Sequence, residues 1–131
     1  MNTRELVLNL LSKAEKSKQY SNIVLDNALK KSDLSPADKG LAAALFYGVT
    51  ERRITLDYQI KELSARDIKE IDTQTLIALR IGLYQLIYLD RVPDHAAINE
   101  TVALCTAKTK GFVNALLRSY TREKGTQKLA L

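Results

Sequence analysis

One cysteine and one histidine leave this sequence with little from which metal centres and nucleophilic sites are built. A lone cysteine excludes a disulfide within the chain and a cysteine-based zinc site. His95, the single histidine, lies just after Pro93 and has no serine or cysteine constellation around it, so a first-turn surface position is expected. The five glycines, at 40, 48, 82, 111 and 125, are scattered, and none belongs to a phosphate-cradling loop or a dinucleotide fingerprint. No metal is expected from ligand spacing. Long apolar runs are also missing. The most hydrophobic stretch, "TLIALRIGLYQLIYL" at 75–89, is shorter than the ~20 residues of a membrane span and is broken by Arg80 and Gln85. The start, "MNTRELVLNLL", has no basic stretch ahead of a long apolar one, so no signal peptide and a cytoplasmic location are expected.

What the sequence has is helix. At 131 residues and 46% hydrophobic, it is long enough for one domain with a core. Leu6, Val7, Leu10, Leu11 and Ala14 form one apolar stripe, and Val24, Leu25, Ala28 and Leu29 a second. "SPAD" at 35–38 reads as a helix start, with Ser35 as cap, Pro36 at the first position and Asp38 reaching back to complete a capping box. A segment with Leu56, Ile60 and Leu63 follows Arg52 and Arg53. Asp72 caps a helix apolar on nearly all sides, which belongs in the middle of a bundle. Pro93 opens another, with Ile98, Val102 and Cys105 at inward spacing, and a last helix begins near Thr109. No stretch alternates with period two, so the fold class is all-α, a helical bundle with short connections. The pattern is lost after Arg122, which divides the chain into a domain at 1–122 and a linker or frayed tail at 123–131.

The net charge is +5, and it is unevenly placed. Residues 106–131 hold six basic side chains against Glu123 alone, whereas the first 105 carry 14 basic and 14 acidic groups. Residues 1–31 are net +3 and residues 54–105 net −3, so basic ends flank an acidic middle. Such ends form a phosphate-attracting face if the fold brings them together; otherwise they serve solubility. Carboxylates at Glu62, Asp67, Glu70 and Asp72 are mixed with Lys61, Arg66 and Lys69, as on a solvated face. No enzymatic centre is expected within this chain.

The last helix singles itself out. In "KGFVNALLRSY", 110–120, the stripe is Val113, Leu116, Leu117 and Tyr120, and Phe112 lies roughly 90° off its centre. Lys108 and Lys110 precede that aromatic, Asn114, Arg118 and Arg122 follow it, and the helix's own unpaired N–H groups favour anions there. Cations for phosphates and a planar side chain for an unpaired base are what single-stranded RNA binding needs. Phe112, off the stripe, is expected to be partly exposed, with packing against a neighbouring helix as the alternative; Asn114 can equally brace a turn. Arg4, Arg52 and Arg53 are further cations near helix ends, and each suits an ordinary ion pair as well. A helical module that docks on an acidic protein remains an alternative.

"RVPDHAAINETVAL" (91–104) followed by "KGFVNALLR" (110–118) closely resembles the NusB-like family of helical RNA-binding domains. "YSNIVLDNAL" (20–29), "LFYGVTERRITLDYQI" (45–60) and "LIALRIGLYQLIYLDRVP" (76–93) fit the same pattern, so the resemblance spans nearly the whole chain. It implies two packed antiparallel three-helix bundles. It also implies RNA contacts at Lys110, Gly111, Phe112 and Asn114, with a basic residue of the first helix at Arg4. Two branches are similar. One is the free-standing transcription antitermination factors, which bind single-stranded RNA with a ribosomal protein. The other is the N-terminal domain of the RsmB (Sun/Fmu) type of methyltransferase, which makes 5-methylcytosine in small-subunit ribosomal RNA. The free-standing factors usually carry "FVNG" and then an acid, where this chain has Ala115 and Arg118. "LDRVPDHAAINE" and "YGVTERRITLD" also look like the methyltransferase branch. That branch implies a following domain in the same polypeptide with the S-adenosylmethionine site and catalytic cysteines; Cys105 matches none of them. Arg118 carries no role from the family, and its candidacy rests on charge.

Overall fold

Four side chains set where helices begin. Asn2 accepts from the Glu5 N–H at 2.8 Å, Ser21 from Ile23 at 3.1 Å, Ser35 from Asp38 at 3.1 Å and Asp72 from Thr75 at 3.0 Å, each satisfying a donor the helix leaves open. The structure, a computed structural model, describes residues 2–130, with side chains through Lys124. Seven α-helices run in order among those residues: α1 Thr3–Ser17, α2 Asn22–Lys31, α3 Pro36–Glu51, α4 Arg53–Ser64, α5 Thr73–Tyr88, α6 Asp94–Val102 and α7 Lys110–Ala130. A short 3-10 turn, Ile68–Glu70, lies between α4 and α5, and no described residue is in a strand. The expected all-α bundle is the observed one.

α5 occupies the centre. Leu76, Ile77, Leu79, Ile81, Leu83 and Leu86 are all buried, and α5 packs against α1, α3, α4, α6 and α7. It thereby joins the group α1–α3 to the group formed by α4, α6 and α7, of which α6 is the shortest at nine residues. Gly82 permits the close approach of two of these helices. A Cβ there would stand 2.8 Å from a Leu117 methyl of α7 and 3.1 Å from a Thr101 methyl of α6.

The two polar breaks in the α5 apolar run, one charged and one neutral, have partners. Arg80, nearly buried, makes a two-pronged ion pair with Asp57 of α4 at 2.8 and 2.9 Å. Gln85, fully buried, donates to the Ile81 carbonyl at 3.0 Å and the Thr101 hydroxyl at 3.4 Å, and accepts from Arg4 Nε at 2.9 Å. The polar breaks in the apolar run therefore tie α5 to α1, α4 and α6.

Three local expectations differ from the structure. The Ser35 cap forms, but among the described residues Asp38 does not return a bond; aspartate is one methylene shorter than the glutamate of a full capping box. α6 ends at Val102, so Cys105 lies in the following turn, half-buried rather than in the core. α7 continues as helix to Ala130, past the loss of apolar pattern at Arg122, and Lys124 Nζ donates to the Leu86 carbonyl at 3.3 Å. A nucleated helix extends at one hydrogen bond per residue, and residues 123–130 contain no proline to stop it.

Candidate nucleic-acid interface

The turn that feeds α7 is built from backbone bonds. The Lys110 N–H donates to the Thr106 carbonyl at 3.0 Å, and the Val113 N–H to the Thr109 carbonyl at 3.1 Å. Val113, Leu116 and Leu117 face the core, which fixes the helix's rotation and leaves Lys108, Lys110 and Gly111 exposed. A Cβ added at Gly111 would meet nothing within 4 Å, so no packing inside the chain demands glycine there. Phe112 is half-buried. Its ring packs against the edge of the core, and the guanidinium of Arg66 lies 4.8 Å from the ring centroid.

Arg66 reaches Phe112 from the connection after α4. That helix ends at Ala65, whose φ of 55° and ψ of 28° place a non-glycine residue in the left-handed region. The chain turns there, and Arg66 is delivered to the first turn of α7.

A cleft of about 320 Å³ opens along the α6–α7 connection, lined by Leu8 of α1, the α5 cap Asp72, Thr75 of α5, and Cys105, Lys108 and Thr109. Hydrogen bonds from Thr75 hold the Asp72 carboxyl below the ordinary aspartate range, with Lys108 assisting. Burial pushes the Cys105 thiol up, and its Sγ donates to the Thr101 carbonyl at 3.6 Å. One wall comes from the first helix and another from the connection into the last, but of the basic side chains only Lys108 lines the cleft, and the first helix contributes apolar Leu8.

Further along α7, Asn114 accepts from Arg118 Nε at 3.1 Å, and Arg122 donates to the Ser119 hydroxyl at 3.0 Å. Spacing of four keeps Asn114, Arg118 and Arg122 on one flank, with both arginines exposed. Asn114 braces an arginine of its own helix rather than a loop.

The remaining cations lie elsewhere. Arg4 is half-buried against the Gln85 amide; burial lowers its pKa, against the pull of Glu100 and Asp38. Leu8, one turn on, is the α1 residue at the cleft, whereas Arg4 is turned to Gln85 near the end of α5. Arg52 lies over the Tyr88 ring at 4.5 Å. Arg53 donates to the Tyr20 hydroxyl at 2.8 Å and approaches Glu15 at 3.6 Å. Tyr88 ends α5 and Asp72 begins it, which separates Arg52 from Lys108 by roughly 24 Å of helix. The structure thus gathers Lys108, Lys110, Gly111 and Phe112, continues the positive flank through Arg118 and Arg122, and does not bring Arg4, Arg52 or Arg53 to that cluster.

The sequence profile of the NusB family matches residues 1–122. The chain belongs to the NusB family. Curated relatives of this NusB-family chain include the probable ribosomal RNA small subunit methyltransferases B of Bacillus subtilis and of Synechocystis. Each is 38% identical over 126 residues, and they cover 92% and 93% of this chain. The ribosomal RNA small subunit methyltransferase B of Klebsiella pneumoniae is 33% identical over 129 residues, covering 95%. The chain spans about 28% of the length of the first two, matching their N-terminal region.

Arg66 is the residue that the spacing argument passed over. It sits in a run of mixed charge, and nothing in a linear pattern joins it to Phe112. Gln85 and Arg80 did carry a signal, as polar side chains in an otherwise apolar helix. Among the described residues no helix is long and apolar enough to cross a membrane. No cluster of three or more histidine, cysteine, aspartate or glutamate side chains there is placed to hold a metal ion, and His95 is exposed in the first turn of α6.

Proposed function

We propose that this NusB-family domain binds single-stranded ribosomal RNA and presents it to a 5-methylcytosine methyltransferase domain in the same cytoplasmic polypeptide. The observation that carries the reading is the run of similarity to small subunit methyltransferases B over more than nine-tenths of this chain. The exposed cations and the half-buried aromatic at the start of α7 support it. Lys108 and Lys110 neutralise phosphate, Gly111 lets a backbone pass close by, and Phe112 offers a ring for a base. Arg118 and Arg122 extend the phosphate track along α7. Arg4, with Arg52 and Arg53, belongs in this reading to packing more than to RNA.

The domain itself is non-catalytic in this proposal. S-adenosylmethionine and the catalytic cysteines belong to the following domain. The residues present here do not fit the cofactor, having neither strands nor a glycine-rich loop among those described, so no chemical step is assigned to them. The helix of residues 123–130 then leads toward that domain. Sequencing the gene beyond the Leu131 codon tests the reading. An open frame continuing for a few hundred codons, with a glycine-rich loop and paired cysteines, is expected. A stop codon would overturn it and leave the antitermination factor, acting with a ribosomal protein, as the better account.

A further inference from the structure

We infer that Arg66 and Phe112 form a slot for one unpaired nucleobase, with Phe112 as the fixed wall and Arg66 as the movable one. The inference rests on the RNA-binding reading above. It adds a binding residue from a different element, and it gives the Arg66–Phe112 contact a purpose.

The two walls differ in stiffness. Phe112 packs against the edge of the core through its place beside Val113 on α7, so its ring cannot shift without disturbing that packing. Arg66 is exposed, and among the described residues no ion pair holds its guanidinium, which lies over the ring face 4.8 Å away. A base lying between two planes needs two contact separations, about 7 Å. Opening the slot therefore requires the guanidinium to move outward by about 2 Å, a small displacement for a long exposed side chain. A guanidinium plane stacks on a base as it does on a ring, so Arg66 closes over the inserted base and adds a positive charge beside the phosphates.

The backbone that carries Arg66 is fixed on both sides. Ala65 turns the chain in the left-handed region, which a residue with a Cβ seldom occupies. The Arg66 N–H donates to the Ser64 hydroxyl at 3.1 Å, and Asp67 accepts from the Lys69 N–H at 3.0 Å, starting the 3-10 turn. The cap and these two bonds fix the point from which the Arg66 side chain leaves the backbone. Lys108 and Lys110 lie on the neighbouring turn for the flanking phosphates, and the open space at Gly111 leaves a path for the strand.

The test uses the 131-residue chain and a mixed-sequence 12-nucleotide single-stranded RNA carrying one 2-aminopurine, whose fluorescence is quenched by stacking. The wild type binds and quenches. Arg66→Ala and Phe112→Ala each weaken binding about five- to tenfold and remove most of the quench. Arg66→Lys keeps the charge but loses the quench, since an ammonium offers no plane. Lys69→Ala, an exposed cation in the same connection, changes affinity less than about twofold and leaves the quench intact. Circular dichroism establishes that each variant is folded. If folded Arg66→Ala bound as tightly as the wild type, or more tightly, with its quench intact, Arg66 would be a cover for the ring and the slot would be refuted. If the wild type bound no RNA, the RNA-binding reading would fail and take the slot with it.

Discussion

Arg80 carries its charge into the interior, where Asp57 supplies both hydrogen-bond acceptors and Glu15 adds a more distant attraction. Asp57→Ala leaves the buried guanidinium without those two bonds. We expect a loss of about 3 kcal/mol in urea unfolding, whereas replacing both partners by apolar residues costs much less. A loss under about 1 kcal/mol for Asp57→Ala would mean that water reaches Arg80. The sequence made the anomaly visible, since a charge in an apolar helix needs an explanation, but it could not name Asp57. Phe112 was legible for a related reason: helical spacing alone puts it off the stripe. Its contact with Arg66 was not, because that contact depends on the chain turning at Ala65.

At the level of elements, the caps were the most readable feature, because a cap is a local interaction between residues two or three apart. Asp72 shows what such a bond does to stability. Hydrogen bonds from Thr75, with Lys108 behind them, hold its carboxyl below the ordinary aspartate range in the folded chain. The unfolded chain therefore takes up this proton first as the pH falls. The contribution is complete above about pH 5 and is lost as the pH drops below about 4. Asp72→Ala should cost about 1 kcal/mol at pH 7 and make the acid limb of the stability curve shallower. An unchanged acid limb would place the sensitivity elsewhere, Glu15 with its Tyr20 hydrogen bond being the next carboxyl held low.

Two helical glycines make an internal comparison. Gly40 and Gly111 are both exposed, and a Cβ at either would meet nothing within 4 Å. Gly40→Ala should stabilise α3 by roughly 0.5–1 kcal/mol with no effect on RNA. Gly111→Ala should stabilise α7 by less, being in its first turn, yet weaken RNA binding. Equal RNA affinity for the two variants would remove the argument that a backbone passes at Gly111. Helix ends were harder to read than helix starts. α6 stops before Cys105 and α7 passes Arg122, and neither end is marked by proline or by a capping glycine.

For the whole molecule, charge arrangement carries the account. The bundle class followed from periodicity, and α5's central place from its lack of a polar face. That Lys108 would share a cleft with Leu8 while Arg4 lies on Gln85 did not follow, because it depends on the α6–α7 turn folding back onto α1. The measurement that tests the central claim most directly is the affinity of the chain for single-stranded RNA between 50 and 200 mM salt, read by fluorescence anisotropy. Three or more phosphate contacts predict a log–log slope of about −2 or steeper, falling by about 1.4 in magnitude when Lys108 and Lys110 are both changed to alanine. No binding at 50 mM salt, or binding indifferent to salt and to those two lysines, would contradict the account.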